Sequence, residues 1–150
     1  MLRYLYPLAK LYWRLFPKVS LGTRIIAIRG DEVLLVKMTY LRDWYLPGGA
    51  VDQYETLAEA AARELLEETG WQAKSISFKK MYFDRRNRAS NHIALFVTRN
   101  IEQVANTKSD HEIEKQAFFP MNALPKGLSP ATRRRLDEYL SEQAECPEIW

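Results

Sequence analysis

The chain has 150 residues, 47% hydrophobic and 27% charged, the proportions of one ordinary globular domain whose core needs no metal or disulfide staple. Its single cysteine, Cys146, excludes an internal disulfide scaffold and fits a reducing, cytoplasmic setting, and no apolar run is long enough to span a bilayer. The net charge of +3 hides a pattern: six basic residues and no acid over 1–30, six acids against the single Arg63 over 49–71, and seven basic residues against Asp84 over 72–100. An acidic block between basic ones fits a cation site that faces a polyanionic ligand.

Residues 1–18 are read apart from a single domain over 19–150. Leu5, Leu8, Tyr12 and Leu15 recur there at helical spacing between Arg3, Lys10 and Arg14. Pro7 and the interrupting cations speak against a targeting signal. This basic amphipathic segment fits packing on protein better than contact of residues 1–16 with a membrane surface. After Pro17, aliphatic and β-branched runs over 23–28 and 33–38 read as strands joined at the hairpin signal Gly30-Asp31. Residues 44–49 are a short apolar stretch broken by a Pro-Gly-Gly turn. Thr56 with Glu59 three residues on is a capping box that starts a helix at Leu57, and Gly70 ends it. Strands follow over 75–84 and 92–100, joined through the basic hairpin loop Arg85-Arg86-Asn87-Arg88. Phe118-Phe119 begins a last apolar element, and Ser129-Pro130 starts a final helix through Leu136 and Leu140. Strands interleaved with two or three helices make an α/β chain, a mixed sheet with helices on its faces.

The chemistry concentrates in the first helix. At about 100° per residue, Glu64, Glu67 and Glu68 share a solvent-facing arc of about 100°, and Ala58, Ala62, Leu65 and Leu66 form the face to be buried. Like charges three and four residues apart destabilise a helix by a few tenths of a kcal/mol each, and Arg63 is the only base among them. A cation from outside the helix, such as Mg²⁺ with its preference for oxygen ligands, would balance the cluster. The Gly48-Gly49 turn, with little side-chain bulk, can bring a backbone carbonyl to the same ion. Arg63 can fork onto Glu55 or Glu64 and fix its orientation.

Gly49, Glu55, Arg63-Glu64, Glu67-Glu68 and Gly70, with the intervening spacings, resemble the Nudix box, the signature of the Nudix hydrolase superfamily. Seven such identities would coincide by chance about once in 10⁸ starting points. The one departure is Trp71, where the box usually ends on an aliphatic residue. The resemblance covers most of residues 20–145. It implies the Nudix fold, an α/β/α sandwich around a mixed sheet, and Mg²⁺-dependent (or Mn²⁺-dependent) hydrolysis of a diphosphate bond in a nucleoside diphosphate linked to another moiety. It further implies that Glu64, Glu67 and Glu68 bind the metal with the carbonyl of Gly48, that Arg63 orients the glutamates, and that Glu55 is a structural partner. The catalytic base that it implies is either Glu112, in an acidic loop over 109–114, or Glu67 within the box.

Substrate is less legible. ADP-ribose pyrophosphatases of the superfamily tend to carry a proline at the position of Arg86, and dinucleoside polyphosphate hydrolases a tyrosine at that of Asn87, so both classes rank lower without being removed. Arg85, Arg86, Arg88 and Asn91 are candidate phosphate or ribose contacts, and Trp44 and Tyr45 candidate stacking partners for a base. Packing is the stronger reading of both aromatics, and His92 reads as a structural residue. The expected ligand is a small nucleotide. Nucleic acid is disfavoured for want of an RNA-binding motif, a nucleotide-sensing protein without turnover is the alternative, and a homodimer is left open.

Overall fold

A computed structural model describes residues 19–84, 90–104 and 112–141. The expectations for residues 1–18 and for the loop containing Arg85, Arg86 and Arg88 lie outside the described residues. Six strands and two helices follow in the order β1 (Val19–Arg29), β2 (Glu32–Met38), β3 (Trp44–Tyr45), α1 (Leu57–Thr69), β4 (Trp71–Asp84), β5 (Ser90–Gln103), β6 (Ile113–Pro120) and α2 (Pro130–Ser141). The sheet runs β3-β2-β1-β5-β4, with β6 paired on β2. It is mixed because β1 and β5 run parallel, from Val19 opposite Ser90 to Ala27 opposite Thr98, and the other pairings are antiparallel.

The period of two along a strand divides the aliphatic run of β1 between two cores. Ile25 and Ala27 face α1 with Leu34, Ala61, Leu65, Ala94 and Phe96. Ile26 and Ile28 face α2 with Val33, Leu35, Leu46, Leu95 and Leu136. Helices on opposite faces make the expected α/β/α sandwich, and a strand buried on both sides reads as an unbroken apolar run for that reason. On the α2 side, the guanidinium of Arg135, only 1% exposed, lies 4.0 Å from the centre of the Tyr82 ring and pairs with Glu138. The second carboxylate oxygen of Glu138 accepts from the Tyr82 hydroxyl at 2.7 Å, so this buried charge is matched.

Several element bounds differ from expectation. β4 starts at Trp71 rather than Ser75, and β5 spans Ser90–Gln103 rather than 92–100. At the helix-proximal end the extra residues alternate: Trp71, Ala73 and Ile101 pack on the α1-side core, while Lys74 and the facing pair Gln72 and Glu102 are exposed. β6 starts at Ile113 rather than at Phe118, because Ile113, Lys115 and Gln116 are held by backbone pairing to β2, while the side chains of Glu114, Lys115 and Gln116 stay in solvent. The long strand β4 is an edge strand: among the described residues only β5 pairs with it, and Lys74 and Lys79 are exposed along it. Its register shifts repeatedly, between Ala73 and Ser75, Ser75 and Ser77, and Phe78 and Lys80. Among the described residues no helix is long and apolar enough to cross a membrane.

β1 pairs with β2 at their hairpin end, Ile28 opposite Val33 and Arg29 opposite Glu32. Farther along, β1 bonds instead to residues 47–51. Ile25 N–H donates to the Pro47 carbonyl at 3.0 Å, Thr23 N–H to the Gly49 carbonyl at 2.8 Å, and Val51 N–H to the Leu21 carbonyl at 3.1 Å. The Pro-Gly-Gly turn is thereby fixed as a short length of sheet against the C-terminal half of α1, at Glu64 and Glu68. Leu65 is fully buried on the face of that helix turned to the sheet. Leu65→Ala is expected to cost about 2–5 kcal/mol by opening a cavity between α1 and the sheet, measured as the shift in the urea midpoint at unchanged slope.

Candidate active site

The helix that carries the acidic residues begins and ends as its sequence dictates. Thr56 Oγ1 accepts from Glu59 N–H at 3.2 Å while the Glu59 carboxylate accepts from Thr56 N–H at 2.7 Å, and Gly70 N–H closes the last turn onto the Leu66 carbonyl at 2.8 Å. Its buried residues are Ala60, Ala61, Leu65 and Thr69. The buried face is therefore rotated toward the acids: Ala62 and Leu66 are only partly buried, and Glu68 does not lie on an open, solvent-facing arc. Instead it turns toward the sheet, and one of its oxygens accepts from Gly48 N–H at 2.9 Å.

Arg63 organises the other carboxylates. It forks onto Glu55, with Nη2 at 2.7 Å from one oxygen and Nε at 3.1 Å from the other. Its second Nη donates to Glu64 at 2.9 Å and to Glu67 at 3.1 Å, and Nη2 also donates to the Ala50 carbonyl at 3.1 Å. These charge-assisted bonds, Glu55 foremost, hold the guanidinium's proton more tightly than usual. They hold the Glu55 carboxyl below its ordinary range, helped by Asp52 N–H at 2.6 Å. Glu55 is thus an anchor for Arg63, as expected. Glu67 reaches outward, with 55% of its side chain exposed against 16% for Glu64.

Glu64 and Glu68 face a different setting. A side-chain carbon on Gly49 would come within 2.5 Å of the Glu64 carboxylate, and one on Gly48 would fall 2.2 Å from the Thr23 carbonyl. With φ of 136° at Gly48, glycine is needed at both positions for the turn to lie between strand and helix. Loss of water pushes both carboxyls upward, Glu64 in direction and Glu68 to about 7. Arg24, from β1, donates through Nη1 to the carbonyl of Gly48. Burial lowers the pKa of its guanidinium, against the opposing pull of Glu68 and Glu64. Among the described residues no group of three His, Cys, Asp or Glu side chains is set to hold an ion by itself. Glu64, Glu68 and the Gly48 carbonyl form an all-oxygen donor set backed by a glycine cradle, which suits a hard divalent cation that keeps several waters.

The remaining expected residues fall in three places. Glu112 lies close enough for its charge to raise both Glu68 and Tyr40, and its backbone carbonyl accepts from Thr39 N–H at 2.8 Å. Trp44 packs edge-on against Phe119, ring centres 4.9 Å apart, with its backbone bonded to Gly127 and Ser129. Asn91 accepts from the Ser20 hydroxyl, and His92 rests on Phe83 at 5.2 Å. Trp71, the departure from the box, packs against Phe118 at 5.2 Å with the Arg29 guanidinium over both rings. Two residues at the site escaped sequence reasoning. Tyr40 gives no signal in a polar loop, whereas Arg24 does: it is a lone charge within the apolar run of β1.

The raised carboxyls have a consequence for stability. Glu68 titrates at about 7 in the fold against an ordinary 4.5, so the folded chain holds a proton that the unfolded chain has released. This contribution is complete below about pH 4.5 and is lost as pH rises through about 7. Urea unfolding of metal-stripped protein across this window should show stability falling as pH rises, and Glu68→Gln should flatten that slope.

Compared with known families, residues 19–140 match the NUDIX domain. An ADP-ribose pyrophosphatase of Methanocaldococcus jannaschii is 28% identical over 117 residues, 76% of this chain and 69% of that protein. A Bacillus subtilis protein with the provisional name 8-oxo-dGTP diphosphatase is 49% identical over 49 residues, and that match spans only 33% of each chain. Among solved structures, a MutT NUDIX hydrolase from Burkholderia pseudomallei superposes with a TM-score of 0.70 at 24% identity, over 80% of this chain and 97% of its own. The domain match, the sandwich and the box geometry agree, and the chain belongs to the Nudix hydrolases, a superfamily of pyrophosphohydrolases that generally use divalent metal ions.

Proposed function

We propose that this chain uses Mg²⁺, or Mn²⁺ in its place, to hydrolyse a diphosphate bond in a nucleoside triphosphate or in a nucleoside diphosphate joined to another moiety. The observation that carries the reading is the packing of Glu64 and Glu68 against the Gly48-Gly49 turn, where Glu68 bonds to Gly48 N–H at 2.9 Å and water is largely excluded. Glu64, Glu68 and the Gly48 carbonyl would hold the metal, and Glu67 at the rim would join them from the solvent side. When bound, such a cation neutralises the diphosphate and stabilises the leaving oxygen. Arg63 keeps Glu64 and Glu67 in register through bonds of 2.9 and 3.1 Å.

We assign the proton-accepting role toward the attacking water to Glu112. Its charge acts on Glu68 and on Tyr40, and the Thr39 bond ties its backbone to the same rim, whereas the Glu67 carboxylate is engaged by Arg63. Tyr40, 64% exposed, offers a ring against which a base can stack at that rim. Arg85, Arg86 and Arg88 remain candidates for phosphate contact, and the packing of Trp44 on Phe119 leaves it a lesser candidate for the base. The relatives' names point to two substrate classes, an oxidised deoxynucleoside triphosphate and ADP-ribose, and both belong in the test.

Product release from nucleoside triphosphates, 8-oxo-dGTP, ADP-ribose, nucleotide sugars, dinucleoside polyphosphates and capped RNA, with saturating Mg²⁺, should select one class. Glu68→Gln should lower that turnover by about 100-fold or more. No turnover on any of them, with a nucleotide still raising the melting temperature, would replace hydrolysis by nucleotide sensing. Glu112→Gln should reduce kcat by about 10²–10⁴-fold with Mn²⁺ affinity unchanged. Undiminished kcat in that variant, together with a loss in Glu67→Gln, would move the base into the box.

A further inference from the structure

The carbonyl of Gly48 is expected to face a divalent ion, yet here it accepts from a guanidinium. Arg24 is the source, reaching from the middle of β1 to the Gly48 carbonyl and to the carbonyl of its own neighbour Thr23 at 3.2 Å. It is a charged side chain set in a strand whose next four residues, Ile25 to Ile28, are almost completely buried. Glu68 and Glu64 are the strongest charges acting on it, and Glu68 in turn is bonded to the amide of the same Gly48. The guanidinium therefore shares its acceptor and its counter-charges with the donor set described above for a divalent ion.

We propose that Arg24 is a tethered cation of this site: it holds the Gly48 carbonyl and neutralises Glu64 and Glu68 while the metal is absent, and a divalent ion must displace it to bind. The proposal rests on the metal-site reading given above. Two consequences follow from electrostatics. A positive charge held within a few ångströms of the donor atoms opposes a dication in a poorly solvated setting, so Arg24 lowers metal affinity. Without it, Glu68 faces Glu64 with no cation of its own, since Arg63 pairs with Glu64 and not with Glu68, so Arg24 stabilises the metal-free protein. Arg24 thus acts on the metal through the carbonyl and carboxylates that it shares, and it is a positioning residue rather than a catalytic one.

Calorimetric titration of the metal-stripped full chain with Mn²⁺ tests this in wild type, Arg24→Met and Glu68→Gln. Arg24→Met is expected to bind Mn²⁺ about tenfold more tightly than wild type, within the usual range of coupling between two ligands at one site. Its metal-free melting temperature should fall while its Mn²⁺-saturated one stays near that of wild type. Unchanged or weaker Mn²⁺ binding in Arg24→Met, with binding lost in Glu68→Gln, overturns the displacement and leaves the metal site standing. Wild-type affinity in Glu68→Gln overturns the metal site and the displacement together. Should Arg24→Met not fold, wild type alone decides by NMR. Hydrogen exchange at the Arg24 guanidinium accelerates as Mg²⁺ fills the site if the side chain is released, and unchanged exchange at saturation refutes the release.

Discussion

Everything in this site depends on a backbone constraint, the seating of residues 47–51 as a short strand along β1. The bonds from Ile25, Thr23 and Val51 place two glycines where no larger residue fits: a side chain on Gly48 would strike the β1 backbone, and one on Gly49 the Glu64 carboxylate. The helix can then approach until Glu68 meets the Gly48 amide. Acidic side chains that would otherwise stand in water come to lie against the sheet, and the burial is the largest cause of their raised proton affinity, with neighbouring carboxylates adding to it.

A helix with so many acids of one sign is held together by cations that it does not itself supply in sufficient number. Arg63 answers for Glu55, Glu64 and Glu67 on the outward side, and Arg24 approaches Glu64 and Glu68 from the sheet. The two guanidiniums divide the cluster into a scaffolded half and an exchangeable half. Glu55, only 15% exposed at its side chain, makes Arg63 costly to move because a bidentate pair is rigid as well as strong. Arg24 makes a bond to a neutral carbonyl, which is more easily given up.

Much of this was legible in the sequence. The box, the capping residues Thr56 and Glu59, Gly70 and the Ser129-Pro130 start act through neighbours three or four positions away, so local spacing suffices to find them. The sandwich was legible for a related reason, because strands buried on both faces show as plain aliphatic runs. What escaped depends on contacts distant in sequence. The helical wheel located the carboxylates but not the sheet beneath them, and so it left Glu68 in solvent. The polar residues Lys115 and Gln116 belong to β6 through backbone pairing to β2, which side-chain character does not report. Arg24 was counted as one of six basic residues near the N-terminus, although its position inside an apolar strand was the available sign of a buried role.

The ragged register of β4 bears on the protein's life at high concentration. Among the described residues only β5 pairs with this fourteen-residue strand at the rim of the sheet, and the backbone groups of a sheet edge invite a strand from any neighbouring molecule. Here the bulges break the even spacing of those groups, and exposed ammonium groups at Lys74 and Lys79 would have to be stripped of water beside an incoming chain. The irregularity makes this edge a poorer template for such pairing.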